Sequence, residues 1–254
     1  MSRTALVTGV SRRAGIGFAV ARRLLDDGAR GFVQSWSPYD ATEPWGADPM
    51  GIDGVLDALG GVGSRLGHAA LDLEDPAAPA SLVATATARF GPPDTLVVNH
   101  ARSQVGALAD LTPDMLDRTW AVNVRASLLL VQAFAAQCPR GGRVVLFTSG
   151  LHKGPMPAEI PYAATKGVLA QLTASLADAL ADQEITVNCV NPGPTDTGWA
   201  TPEQAGFVAR HLPRGRWNHP AEAAAVVAML LSPDAATVTG QVVDAEAGFR
   251  RWTQ

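Results

Sequence analysis

Along this chain short apolar runs recur at intervals, and longer stretches with helical spacing separate most of them. The runs TALVTG (4–9), GFVQSW (31–36), HAALDL (68–73), TLVVNH (95–100), RVVLFTS (143–149), ITVNCVNP (185–192) and GQVVDAE (240–246) predict strands. Between the first two, Val20, Ala21, Leu24 and Leu25 form an apolar side, while Arg22, Arg23, Asp26 and Asp27 face outward. That spacing predicts a helix over 18–27, with Gly28 where a left-handed C-cap belongs. Val168, Leu172, Leu176 and Leu180 repeat every four residues and predict one stripe on a helix over 162–182. A further Ala-rich helical segment spans 114–137.

Strands apolar on both faces and alternating with helices predict a doubly wound α/β fold, a seven-stranded parallel sheet covered by helices on both faces. No polar linker interrupts the series, so residues 1–254 are expected to form a single domain. Two irregular stretches stand out. Residues 37–54, rich in Pro, Gly and Asp, read as a surface excursion, and residues 193–220, after the sixth strand, read as a lid over a ligand. Gly198, Gly206 and Gly215 would let that lid move.

Composition narrows the classes. A chain of 254 residues, 47% hydrophobic and 17% charged with a net charge of -4, has a globular balance and no basic block for nucleic acid or an anionic membrane. No run reaches the length of a membrane span, and the N-terminus lacks a secretory core, so a cytoplasmic protein is expected. Cys138 and Cys189 form no paired motif and read as free thiols; no metal site is expected.

Two constellations carry chemistry. The stretch TGVSRRAGIG (8–17) is a strand-to-helix turn holding Gly9, Ser11, Arg12, Arg13, Gly15, Ile16 and Gly17. Gly9 suits the tight turn, Gly15 lets the backbone approach a pyrophosphate, and Gly17 lets helix and strand pack closely. The helix N-terminus adds N–H donors and a positive dipole end. The second constellation is Tyr162 and Lys166, four apart and one helical turn from each other, with Ser149 closing the fifth strand. An ammonium beside a phenol favours the phenolate, which predicts a lowered Tyr162 pKa and a general acid/base.

Thr8-Gly9 with Gly15-Ile16-Gly17, Asn123, Ser149, Tyr162-x3-Lys166 and NPGPTDT (191–197) together resemble the short-chain dehydrogenase/reductase family, especially its β-ketoacyl carrier-protein reductase-like members. The resemblance implies a Rossmann fold and hydride exchange between a nicotinamide cofactor and a small-molecule or carrier-bound carbonyl substrate. It implies that Tyr162 transfers the proton, Lys166 lowers its pKa and holds the nicotinamide ribose, Ser149 polarises the substrate oxygen, and Asn123 holds a relay water. Asp72 and Leu73 would border the adenine, Asn99, His100 and Ala101 the cofactor, and Pro192, Gly193, Thr195 and Thr197 the nicotinamide. A homotetramer is also implied.

Three departures from the family pattern stand out. Five residues separate Gly9 from Gly15 where three are common, VNHA (98–101) replaces Asn-Asn-Ala-Gly, and AEAG (245–248) stands where Asp-Gly-Gly is common, the last reading as minor. The longer loop is similar to that of enoyl carrier-protein reductases, whose Tyr and Lys stand seven apart; the spacing of four here favours C=O chemistry. His100 reads as a packing residue rather than an extra base.

No acid follows the second strand before Asp40; Ser35 and Ser37 are neutral. Arg12 and Arg13 therefore favour NADP(H) over NAD(H), by gripping a 2′-phosphate. The alternative is that both arginines are surface charge and Asp40 folds back to hold NAD. His100, Arg102, Leu151, His152, Met156, Ile160, Trp199, Phe207 and His211 are expected to line an apolar substrate pocket. From another class, a non-catalytic dinucleotide-sensing protein on the same fold remains an alternative.

Overall fold

The computed structural model describes residues 3–251. Seven parallel strands form one sheet in the order β3-β2-β1-β4-β5-β6-β7. They are β1 (Thr4–Val7), β2 (Arg30–Ser35), β3 (Leu66–Ala70), β4 (Thr95–Val98), β5 (Arg143–Phe147), β6 (Thr186–Asn191) and β7 (Val242–Asp244). Every predicted strand is present: five are shortened at their ends, β2 starts one residue earlier than the predicted run and β3 two residues earlier. The strand order reverses between β1 and β4, the switch point where a doubly wound sheet opens a crevice at its C-terminal edge.

Period-two alternation sends side chains to two cores. Ala5, Val7, Val33, Val97, Val145 and Val190 pack beneath α1 (Ile16–Asp26), α3 (Gly51–Ala58) and α9 (Pro220–Leu231). Leu6, Phe32, Leu96, Val98, Val144 and Leu146 face the opposite side, under α4 (Ala78–Phe90), α6 (Ala126–Ala135) and α7 (Ile160–Ala179). Both faces are covered, so this is a Rossmann-type α/β fold.

Several elements differ from the sequence expectation. The excursion 37–54 is not wholly irregular: it forms α2 (Ser37–Thr42) and begins α3. The stretch after β6 contains α8 (Pro202–His211), started by a Thr201–Gln204 capping box with proline at its first turn. The helical segment expected over 114–137 is α5 (Pro113–Trp120), a π-helical turn over Ala121–Arg125, then α6. In α7 the buried line is Thr165, Leu169, Thr173 and Ala177, whereas Val168, Leu172, Leu176 and Leu180 are half-buried. Gly28 has φ +93° directly after α1, as its C-cap role requires. Both cysteines are free, and among the described residues no helix is long and apolar enough to cross a membrane.

Candidate active site

The C-terminal edge of the sheet opens into a cavity of about 1220 Å³. Gly9, Ser11, Arg12, Gly15 and Ile16 line it at the β1–α1 turn, Asp72 and Leu73 after β3, and Asn99, His100 and Ala101 after β4. Ser149 lies after β5, Tyr162 on α7, and Pro192, Gly193, Thr195 and Thr197 after β6. Residues scattered through the sequence thus share one space because parallel strands deliver all their C-terminal loops to one edge.

The glycine turn is built by close approach. Gly9 has φ +73°, and a Cβ there would lie 2.8 Å from the Asn99 amide nitrogen and the His100 Cα. A Cβ on Gly17 would strike the Gly9 carbonyl, so Gly17 packs α1 against the strand end and does not face the cavity. Asn99 Nδ2 donates to the carbonyls of Thr8 and Gly9 at 3.2 and 3.1 Å, tying β4 to this turn. Sequence reasoning missed Gln34, whose buried side chain accepts from Gly9 N at 2.9 Å and donates to Leu71 O at 2.7 Å. A lone amide inside the apolar run of β2 was the available signal.

The two loop arginines separate. Arg13 turns away from the cavity: its backbone N and guanidinium donate to Asp48 at 2.8 to 3.1 Å. Burial opposes ionisation of Asp48, but those hydrogen bonds outweigh it and pull the carboxyl down to about 2. Nothing in the sequence singled out Asp48. Arg12 does face the cavity, donating from Nη2 to Thr197 O at 3.0 Å across its mouth. Ser37 opens α2, and its neighbours Trp36, Pro38 and Asp40 line the cavity instead. Burial pushes the Asp40 carboxyl upward; it accepts from Trp45 Nε1 at 3.0 Å. Arg102 lies at the same end, its guanidinium 5.4 Å over the Tyr39 ring and its Nε buried without a partner.

At the other end, Lys166 sits behind Tyr162. Its Nζ donates to Phe147 O at 3.0 Å and lies 5.7 Å from the centre of the Tyr162 ring. Burial pushes the ammonium down to about 8. The Tyr162 phenol is shifted upward, not downward as expected: burial dominates and Glu159 adds negative charge, with Ser149 offsetting only part. Asn123, in the π-helical turn, spends its side chain on Arg102 N at 2.7 Å, Arg102 O at 3.0 Å and Thr165 Oγ1 at 2.9 Å. It anchors the loop after β4 to α7 and makes no hydrogen bond to Lys166.

Of the expected substrate-pocket residues, His100, Arg102, Met156, Trp199 and Phe207 line the cavity. Leu151, His152, Ile160 and His211 do not; His152 pairs with Asp244, and His211 caps Phe207 O. Trp217, Phe249 and Arg251 are lining residues the sequence did not reveal.

The family model described as Enoyl-(Acyl carrier protein) reductase matches residues 9–250. The chain is 36% identical to the uncharacterized oxidoreductase YjdA of Bacillus subtilis (strain 168), over 97% of this chain and 96% of that one. Among solved structures, a short-chain dehydrogenase from Burkholderia cenocepacia J2315 in complex with NADP superimposes with a TM-score of 0.84 at 33% identity, covering 97% of each chain. The angucycline C-6 ketoreductase LanV with bound NADP also gives 0.84, at 34% identity over 97% of this chain and 95% of that one. A glycine turn sharing one cavity with a Ser-Tyr pair, on a sheet of this order and with relatives matched end to end, leaves one assignment: the chain belongs to the short-chain dehydrogenase/reductase family of nicotinamide-dependent oxidoreductases.

Proposed function

We propose that the protein is an NADP(H)-dependent reductase of ketones carrying bulky apolar groups, with residues 1–254 acting as one catalytic domain. One observation carries the reading: the glycine turn opens into the same cavity as Ser149 and Tyr162. The Gly9 and Gly17 contacts, the free N-terminus of α1 and the facing Arg12 fit a dinucleotide. When bound, the nicotinamide supplies or takes the hydride.

The chain's own residues do the rest. Ser149 Oγ donates to the substrate oxygen. Tyr162, kept protonated by burial and by Glu159, gives that oxygen its proton. Such a phenol suits reduction better than oxidation. The Lys166 ammonium then stands as counter-charge to the phenolate left behind. Trp199, Phe207, Trp217 and Met156 give the substrate end apolar walls, as a polyketide-like or other extended ketone requires.

Preference for NADP(H) rests on Arg12 and Arg102, two arginines that line the cavity, against Asp40, which is already bonded to Trp45 and pushed toward its neutral form. Free thiols accord with a cytoplasmic setting, and a homotetramer completes the reading.

Nicotinamide fluorescence titrations test it. NADPH is expected to bind at least tenfold tighter than NADH, and Arg12→Ala to weaken NADPH by about tenfold, or 1.4 kcal/mol, while leaving NADH unchanged. Equal or tighter NADH binding, indifferent to the arginines, rejects the cofactor assignment. With aromatic and aliphatic ketones, Tyr162→Phe is expected to lose about 10²–10⁴ in turnover and still bind NADPH. Wild type that binds NADPH yet reduces none of them supports a sensor instead.

A further inference from the structure

One cluster of charged side chains takes no part in that mechanism, and it lies directly beneath the substrate end of the cavity. Its centre is Glu246, inside the short AEAG departure, only 5% exposed. The carboxylate accepts from Arg251 Nη1 at 2.7 Å, from Arg251 Nη2, and from Asn191 Nδ2 at 2.8 Å. Lys153 Nζ lies 3.9 Å away. Asp244 accepts from the same Asn191 amide at 2.8 Å, from Lys153 at 3.0 Å and from His152 at 3.2 Å. Burial alone would raise Glu246; the Arg251 and Asn191 donors hold it below its ordinary value, so it is ionised.

The cluster touches both lips of the site. On one side Arg251 lies across Gly150 and Gly154. A Cβ on Gly150, the residue after Ser149, would fall on the guanidinium, and one on Gly154 would come 2.5 Å from Arg251 Cδ. On the other side Asn191 Oδ1 accepts from Gly193 N at 3.1 Å, and a Cβ on Gly193 would lie 2.7 Å from Glu246 Cα. One carboxylate therefore joins the loop carrying Ser149, the loop bordering Pro192 and Gly193, and the end of the described chain. Arg251 and Phe249 themselves line the cavity. The backbone is held hard here: Ala247 has φ +52°, a left-handed conformation that side chains other than glycine rarely adopt.

We propose that Glu246 and Arg251 are positioning residues, a buried carboxylate–guanidinium latch that folds residues 246–251 over the Ser149 loop and fixes Ser149 opposite Tyr162. The latch rests on the reading of Ser149 and Tyr162 as the partners of the substrate oxygen. Two parallel charge-assisted bonds give it directional rigidity that one ammonium cannot reproduce. A hydroxyl displaced by an ångström loses much of its effect on a carbonyl.

The test compares Arg251→Met, Arg251→Lys and Glu246→Gln with wild type. Asn191 and Lys153 still face the Glu246 carboxylate when the guanidinium is removed, so the Arg251 variants are expected to fold even if Glu246→Gln does not. For Arg251→Met, kcat/KM toward ketones is expected to fall 10- to 100-fold with the NADPH Kd within twofold of wild type, and Arg251→Lys to recover part of the loss. Amide hydrogen exchange across 150–157 is expected to quicken at least tenfold in Arg251→Met. Unchanged exchange there, or kcat/KM within twofold of wild type for Arg251→Met, overturns the latch. If wild type reduces no ketone, the functional reading fails by itself, and exchange with NADPH affinity still decides whether the latch exists.

Discussion

The imidazole of His100 is held at both ring nitrogens. Nε2 lies 2.9 Å from Val122 O, which can only accept, so Nε2 carries the proton; Nδ1, 2.8 Å from the Thr8 hydroxyl, accepts. The ring thus bolts β1 to the π-helical turn as a neutral group. Burial, aided by the nearby Lys166 charge, pushes its pKa down to about 4. The unfolded chain, with an ordinary histidine near 6.5, takes up its proton first as pH falls. Stability from this group is therefore present above about pH 6.5 and drains away toward pH 4, by up to about 3 kcal/mol. His100→Gln removes the titration. Urea unfolding at pH 7 and pH 4.5 is expected to show the gap between wild type and His100→Gln narrowing by about 2 kcal/mol. A gap independent of pH would mean that the ring is charged or solvated. The histidine was legible in sequence as a packing residue, but its two partners come from elements far apart in the chain.

Among the elements, α1 shows what a glycine at a helix start secures. An added methyl at Gly17 meets the Gly9 carbonyl and, at 2.6 Å, the Asn99 amide nitrogen, and backbone cannot swing aside as a flexible side chain can. Gly17→Ala is expected to cost about 1–3 kcal/mol by thermal or urea unfolding and to weaken NADPH at least tenfold, because α1 must back away from the β1 turn. A variant with wild-type stability and affinity would show that the helix seat is compliant. This turn, the seven strands and the Tyr162–Lys166 spacing were readable because hydrophobic alternation and glycine placement report local geometry directly. The buried side of α7 was not. Its line runs through Thr165 and Thr173, whose hydroxyls turn back to the carbonyls of Tyr162 and Leu169 at 2.8 and 2.7 Å, and beside them lies Lys166. Polar residues satisfied within their own helix bury at little cost, and a search for apolar periodicity passes over them. Likewise α2 is too short for a period to register, whereas the Thr201-Pro202 and Gln204 signature of α8 was available. The division of labour between Arg12 and Arg13 was closed to sequence, since it depends on Asp48 arriving from a loop 35 residues away.

The same α7 stripe matters at the scale of the whole molecule. Val168 and Leu172 are half-buried, and α5, which packs against α7, presents Leu116 at 40% and Trp120 at 49% exposure. Apolar residues on two adjacent helices form a larger surface than scattered single side chains do, and a closed assembly is the ordinary way to cover it. An α-helical face of small and branched residues suits a two-fold contact, in which each residue meets its own counterpart or a near neighbour. Such a contact would bear on catalysis, because α7 carries Tyr162 and Lys166 at its first turns and a second helix laid along it would restrain their motion. In the proposed homotetramer this contact is one of two different two-fold interfaces, and light scattering at micromolar concentration is expected to give four times the mass of one chain. Leu172→Arg places a charge at the centre of the stripe, on a side chain outside the core of its own subunit; it is expected to shift that mass to one or two chains with the fold retained by circular dichroism. Turnover would then fall more than NADPH affinity, since the dinucleotide turn lies on β1 and α1. A wild-type mass of a single chain rules out the assembly and leaves Val168 and Leu172 as ordinary half-buried residues at the edge of their own subunit.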